Sequence, residues 1–173
     1  MQRLFEVFEA HNIRYFFYAG GNDSQDTADK ISKLAQQKGY ELRVIGIPKT
    51  IDNDLPVTDH CPGYGSVIKF NATTVTEVAI DVGGMATDDG SCCIIEVMGR
   101  HAGWIACFSG IATAADYTLI PEEEANIDEM CKVLLARRKA GKKYGIVIVS
   151  EGVTLPDAGF VTTAAEVDDF GSS

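Results

Sequence analysis

The sequence lacks the features that mark several large functional classes. Among its 173 residues, no apolar run approaches the roughly 20 residues of a membrane span. Basic residues are scarce, because 15 Lys and Arg stand against 25 Asp and Glu, which gives a formal net charge of -10. A surface of this sign repels a nucleic-acid backbone. We therefore expect neither a membrane protein nor a nucleic-acid-binding protein.

Cysteine and histidine are also sparse, and their placement excludes two kinds of site. The five cysteines are an odd number with no C-x-x-C pair, which does not fit a disulfide framework. Cys92 and Cys93 stand together in an apolar run, so we expect buried, reduced thiols in a cytoplasmic protein. The three histidines do not cluster with acidic residues at ligand spacing, and no zinc site is expected.

What the sequence contains is an alternation of helical patterns with short apolar runs. The runs lack polar alternation, which predicts strands buried on both faces of a mostly parallel sheet. Segments with the apolar spacing of a helix lie before the first run and between the others. Residues 66–82 fit either a helix or a strand, and the length of this segment favours a helix. The acidic run 122–124 predicts the start of the last helix, and no further element is expected in 153–173. The predicted strands are 15–18, 42–47, 92–98, 117–120 and 144–149.

This repeated βαβ pattern predicts an α/β fold of the Rossmann-like, three-layer kind. In an open parallel sheet, ligands bind at the carboxyl ends of the strands. Polar or glycine-rich segments follow four of the runs, and they are the candidates for a functional site: GGNDS at 20–24, PKTIDND at 48–54, GRH at 99–101 and SEG at 150–152.

The GGNDS segment has the composition of a phosphate-binding turn. Its glycines let a ligand approach the backbone, and the N–H groups of the following helix suit an anion. The alternative is an ordinary turn with a helix cap. Asp23 repels an anion at this place unless a cation intervenes, and Mg²⁺ held by oxygen ligands and phosphates would supply that cation.

The PKTIDND segment places a cation and two carboxylates in one short loop. Lys49, Asp52 and Asp54 are the set that phosphoryl transfer to a hydroxyl requires, namely positive charge and a proton acceptor. The alternative is a solvated turn rich in Asn and Asp. Arg100 can bind a phosphate with two hydrogen bonds or form a surface ion pair. Glu151 can accept a hydrogen bond from a sugar hydroxyl or cap a loop.

From the first helix to about Phe170, these segments resemble the 6-phosphofructokinase family, and most closely its pyrophosphate-dependent members. In the family's catalytic loop, Asp52 matches the base that activates the sugar 1-hydroxyl, and Asp54 matches its supporting carboxylate. Thr50 and Ile51 belong to the same substrate-binding loop. The resemblance also assigns four further positions to fructose 6-phosphate: Met98, Gly99, Arg100 and Glu151.

Two positions carry the resemblance to the pyrophosphate-dependent members. ATP-dependent relatives have glycine where this chain has Asp23 and Lys49. By resemblance, the Asp23 carboxylate occupies the place of the ATP α-phosphate, and the Lys49 ammonium stabilises the transferred phosphoryl group. Gly21 and Ser24 complete the expected donor site. Asn22 stands where the family usually has an aspartate that ligates Mg²⁺.

The resemblance implies transfer of a phosphoryl group from pyrophosphate to fructose 6-phosphate, with Mg²⁺ as cofactor, in cytoplasmic glycolysis. It also implies a homo-oligomer, dimer or tetramer, although Ser91 stands where many relatives place an arginine that reaches the neighbouring subunit. By resemblance, residues 1–173 form a partial phosphofructokinase domain that lacks the family's upstream phosphate-binding turn and downstream sugar-phosphate segment. We expect such a part of the domain to be inactive alone. The alternatives are an ATP-dependent 6-phosphofructokinase and a non-catalytic or inactive fragment of that fold.

Overall fold

The computed structural model describes residues 2–88, 90–155 and 159–160, in which helices and strands alternate. The predicted strands are all present, and residues 66–82 lie in a helix. No helix in these ranges is both long and apolar enough to cross a bilayer. The elements are α1 (Gln2–Ala10), β1 (Tyr15–Gly20), α2 (Asn22–Lys38), β2 (Arg43–Pro48), α3 (Tyr64–Met85), β3 (Ser91–Val97), α4 (Trp104–Thr113), β4 (Tyr117–Leu119), α5 (Ile127–Lys139), β5 (Tyr144–Ser150), β6 (Thr154–Leu155) and β7 (Gly159–Phe160).

The chain divides into two compact units, and the first comprises Met1–Thr50 and Leu55–Cys61. In it β1 and β2 form a parallel pair in which Phe16 lies beside Val44. Helices α1 and α2 cover this face of the pair and supply its buried core: Phe5, Phe8, Ile31 and Ala35.

The sheet of the first unit is covered on one face only, so the prediction of strands buried on both faces is wrong here. Phe16 and Val44 pack against the helices, whereas Phe17 is 59% exposed and Ile45 is 47% exposed on the other face. Both helices contribute to the same core, and within the described residues of this unit nothing comparable covers the second face. An apolar run predicts a strand, but it does not show which face receives a helix.

The second unit comprises Ile51–Asp54 and Pro62–Ser173. Its parallel sheet has the strand order β3-β5-β4, so the last of these strands along the chain is the central one. Ile146 and Ile148 of β5 pack against α3 and α4, and Val149 packs on the opposite side with Ala125 and Val153. Burial on both faces is therefore confirmed for β5, while β3 alternates between half-buried and exposed side chains.

Helix α5 begins later than the acidic run predicted. Asn126 caps it, and its Oδ1 accepts a hydrogen bond of 2.9 Å from the backbone N–H of Glu129. Glu122 instead accepts a 2.8 Å hydrogen bond from the N–H of Gly103, directly before α4. The short antiparallel pair β6–β7 was also not predicted. The rest of 153–173, residues 156–158 and 161–173, lies outside the described residues.

The cysteines depart in part from the expectation of buried thiols. All five are free, and Cys61 is buried as expected. Cys92 is exposed because it lies on the uncovered side of β3, and Cys131 is exposed on α5. The apolar neighbours of Cys92 in sequence therefore did not predict its surroundings.

A buried carboxylate connects several elements of the second unit. Asp116 lies in the segment that connects α4 to β4, and its side chain is fully buried. It accepts hydrogen bonds of 2.8 Å from Arg137, 2.7 Å from Lys142 and 2.9 Å from the backbone N–H of Ile146. Burial alone raises the pKa of Asp116, but the hydrogen bonds from Lys142, Ile146 and Arg137 outweigh it and lower the pKa. Asp116 is therefore ionised in the native state and fixes the end of α5 to the sheet.

Candidate functional site

The candidate site residues fall into two sets, one in each compact unit. The first set is Gly21, Asn22, Asp23, Ser24, Lys49 and Thr50, and the second is Ile51, Asp52, Asp54, Met98, Gly99, Arg100 and Glu151. Both sets lie at or directly after the carboxyl ends of parallel strands, as the sequence predicted.

In the first unit, the GGNDS segment is the junction between β1 and α2. Gly20 ends the strand, Gly21 is the N-cap, and Asn22 and Asp23 lie exposed in the first helical turn. The positive end of the helix dipole stabilises a carboxylate at this position. The Ser24 side chain favours glycine at position 20, because a Cβ there would overlap the Ser24 hydroxyl.

Lys49 and Thr50 lie beside this junction. The backbone N–H of Lys49 donates a 2.9 Å hydrogen bond to the carbonyl of Gly20. A Cβ at Gly21 would lie 3.6 Å from the Cβ of Thr50, at ordinary contact distance. The structure therefore brings together the two segments of the first set that lie far apart in sequence.

In the second unit, the loop Ile51–Asp54 holds its two carboxylates on a constrained backbone. Asn53 between them is buried and has φ = 56°, a left-handed conformation that asparagine adopts more readily than most residues. Asp52 is half-buried, with its Oδ1 atom out of contact with solvent. Ile51 lies so close to Gly63 that a Cβ there would be 2.9 Å from its Cγ2 atom, which places the loop against the start of α3.

The turn after β3 and the end of β5 are in contact. The N–H of Gly99 donates a 3.0 Å hydrogen bond to Oε1 of Glu151, and the buried Ser150 hydroxyl donates to the Gly99 carbonyl. A Cβ at Gly152 would overlap the carbonyl of Arg100. The GRH and SEG segments, predicted separately, thus form one arrangement in which Glu151 also orders the turn.

Gly99 has a backbone conformation that few other residues tolerate, with φ = 129°. A Cβ here would also lie 2.6 Å from the carbonyl oxygen of Ala102. We expect Gly99→Ala to lower the free energy of unfolding by about 1–3 kcal/mol, measured by urea denaturation of the chain.

The matched control for this prediction is Gly84→Ala in α3, where nothing lies within 4 Å of the added Cβ. There the same substitution is expected to raise the free energy of unfolding by roughly 0.5–1 kcal/mol, because alanine favours a helix over glycine. Equal effects at the two positions would show that the turn at Gly99 is not constrained.

The donor atoms of the first set suit a magnesium ion held jointly with a ligand. Among the described residues, no group of three or more His, Cys, Asp and Glu side chains is arranged to hold a metal ion. Asn22 and Asp23 nevertheless present an amide and a carboxylate oxygen in one exposed turn. Mg²⁺ commonly uses one or two protein oxygens together with phosphate oxygens and water, and the Asn22 amide oxygen fits that donor set.

Sequence reasoning missed Gln25, and it assigned no role to Asn53 and Ser150 although both lie in the candidate segments PKTIDND and SEG. Asn53 had a signal in its residue type, since asparagine between two aspartates is a frequent left-handed position. Ser150 and Gln25 had none, because Ser150 binds the carbonyl of Gly99 and Gln25 binds that of Ile47, each in another segment.

The fold and the two sets of residues define an α/β protein whose charged side chains collect at the carboxyl ends of parallel strands. The phosphofructokinase family model matches residues 1–170, and the chain belongs to this family. The expectations for family and fold class are thus confirmed.

Particular relatives are similar over nearly the whole chain. The pyrophosphate--fructose 6-phosphate 1-phosphotransferases of Halomonas elongata and Methylococcus capsulatus are 43% and 45% identical over 98% of this chain. The crystal structure of a pyrophosphate-dependent phosphofructokinase from Nitrosospira multiformis is 44% identical, with a TM-score of 0.80 over 91% of this chain and 41% of that one. The chain spans about two fifths of the length of the curated relatives, covering 42% and 41% of them.

Proposed function

We propose that the protein carrying this chain transfers a phosphoryl group from pyrophosphate to the 1-hydroxyl of fructose 6-phosphate, a reversible step of glycolysis. The observation that supports this most is the hydrogen bond from Lys49 N–H to Gly20, which puts Lys49 next to the helix turn that carries Asp23. The Lys49 ammonium would attract a small, highly charged phosphoryl donor, while the Asp23 carboxylate would act against a nucleotide that places its inner phosphate there.

On the donor side, Gly21 and Ser24 flank the N–H groups of the first turn of α2, which would bind a phosphate oxygen. The Lys49 ammonium would offset the charge on the transferred phosphoryl group. The Asp23 carboxylate would repel the inner phosphate of ATP. Mg²⁺, held by Asn22 together with phosphate oxygens, would neutralise part of the donor's charge.

On the acceptor side, the Asp52 carboxylate would accept the proton of the sugar 1-hydroxyl, with Asp54 as its supporting carboxylate. Thr50 and Ile51 would border the sugar. A guanidinium matches a phosphate geometrically, so Arg100, together with Met98 and Gly99, would bind the sugar phosphate. Since a carboxylate accepts several hydrogen bonds, Glu151 can hold the Gly99 N–H and a sugar hydroxyl together.

The proposal extends to the setting in which this chain acts. Because the chain spans about two fifths of its relatives, we treat residues 1–173 as part of a phosphofructokinase domain. By its resemblance to the family, we propose that the protein works as a homo-oligomer. Both substrates are multiply charged and do not cross a bilayer unaided, which supports action in the cytoplasm.

The donor assignment is tested with the double variant Asp23→Gly/Lys49→Gly in the protein that carries this chain at its full length. Removing one attractive and one repulsive charge should lower the ratio of kcat/KM for pyrophosphate to kcat/KM for ATP by about a hundredfold. Initial rates of fructose 1,6-bisphosphate formation with each donor measure this ratio.

The matched control removes an equivalent pair of charges from the exposed part of the same helix. Asp29 and Lys33 form a 2.6 Å ion pair on α2, and Asp29→Gly/Lys33→Gly should leave the donor ratio unchanged. If pyrophosphate preference survives in the first variant without any gain with ATP, Asp23 and Lys49 do not select the donor.

A further inference from the structure

The side-chain amide of Gln25 connects the carboxyl ends of β1 and β2. Gln25 lies in the first turn of α2, and its Nε2 donates hydrogen bonds to the carbonyls of Gly20 at 3.0 Å and of Ile47 at 3.1 Å. Gly20 is the last residue of β1, and Ile47 precedes the last residue of β2. One amide group thus joins two neighbouring strand ends at the point where both strands stop.

The same carbonyl also receives the backbone of a donor-site residue. The Gly20 oxygen accepts the 2.9 Å hydrogen bond from the N–H of Lys49 as well as the one from Gln25. Asp23 lies in the first turn of α2, directly after this junction, and Lys49 directly follows the end of β2. Gln25 therefore holds the backbone from which both donor-selecting charges project.

The backbone of β2 leaves space for this amide. A Cβ at Gly46 would overlap Oε1 of Gln25, so glycine at this position lets the side chain lie across the strand. Two positions that are far apart in sequence thus serve one contact. Substitution of Gly46 therefore tests the contact independently of substitution of Gln25.

We propose that Gln25 is a positioning residue for the phosphoryl donor: it sets the distance between Asp23 and Lys49 without touching either substrate. The inference rests on the proposed function. All the groups involved belong to the first compact unit, within Met1–Thr50. Loss of the amide should therefore weaken donor binding and change binding of the sugar phosphate little, because all its proposed contacts except Thr50 lie in the second unit.

The test compares Gln25→Met, which keeps the length of the side chain but removes both N–H donors, with Gly46→Ala, which displaces the amide. Each variant should raise KM for pyrophosphate about tenfold and leave KM for fructose 6-phosphate within about twofold of the parent value. Because both changes break one contact, the double variant should be no worse than the more affected single variant. The control is Gln37→Met, the same exchange at an exposed position of α2.

Amide hydrogen exchange at Lys49 gives a readout that does not depend on catalysis. Exchange should be faster in Gln25→Met and Gly46→Ala than in the parent and in Gln37→Met. Unchanged exchange, an unchanged KM for pyrophosphate, or an equal rise of both KM values overturns the inference. A parent protein without pyrophosphate-dependent activity overturns the proposed function instead, and exchange at Lys49 then decides the positioning role alone.

Discussion

Asp52→Asn is expected to lower kcat for phosphoryl transfer by roughly 10²–10⁴-fold, because the amide cannot accept the proton of the sugar 1-hydroxyl. The substitution preserves the shape of the side chain, and Asp52 sits in a loop whose backbone is constrained by the buried, left-handed Asn53. KM for fructose 6-phosphate should change little, since the interaction that is lost develops in the transition state. Steady-state kinetics of the full-length protein carrying this chain measure both constants.

Asp81→Asn is the matched control, because it makes the same change at an exposed position of α3 in the same compact unit. It should leave kcat and KM unchanged. A variant at Asp52 that keeps more than a tenth of the parental kcat, with an unchanged pH profile, would show that another group accepts the proton.

Asp116→Asn is expected to lower the free energy of unfolding by about 3 kcal/mol at neutral pH, because it removes the charge that compensates two cations around a buried site. The side chain is fully buried and receives hydrogen bonds from Arg137, Lys142 and Ile146 N–H. An asparagine amide at this place would direct its own N–H donors at those of its partners. Urea denaturation of the chain measures the loss.

The effect of Asp116 should depend on pH in a defined direction. Its pKa is lowered in the folded state, so its contribution is present above the pKa of the unfolded chain, about 3.9, and is lost as the pH falls through the lower folded value. The difference between parent and variant should therefore be full at pH 7 and shrink in acid. A difference that grows as the pH falls would contradict this explanation.

Asp88→Asn controls for charge removal at the surface. Asp88 forms a 2.6 Å ion pair with Lys143, but its side chain is 93% exposed. Solvent screens such a pair, and its loss should cost no more than about 1 kcal/mol. Equal losses for Asp88 and Asp116 would mean that burial of the carboxylate does not determine its contribution.

The positions of the strands could be predicted from the sequence, but the packing around them could not. Short runs of β-branched and aromatic residues located β1 to β5 within one or two residues, since such runs have few other stable arrangements. Which faces are covered depends on where the helices lie. Phe17 and Cys92 therefore turned out to be exposed although their segments are apolar.

The candidate site could be predicted as far as its charged residues but not as far as their supports. Asp23, Lys49, Asp52 and Arg100 stand out because polar residues follow directly on apolar strands. Gln25 binds the carbonyl of Ile47 and Ser150 binds that of Gly99, and such contacts between distant segments leave no pattern in one sequence. The supporting residues can thus be identified only from the structure, in which the strand ends lie next to each other.

Donor use is tested most directly by measuring fructose 1,6-bisphosphate formation from fructose 6-phosphate and Mg²⁺ with pyrophosphate or ATP as donor. The full-length protein that carries this chain should use pyrophosphate with a kcat/KM at least about a hundredfold above that for ATP, given the opposing effects of Lys49 and Asp23 on the two donors. An equal or higher kcat/KM for ATP would contradict the proposed function.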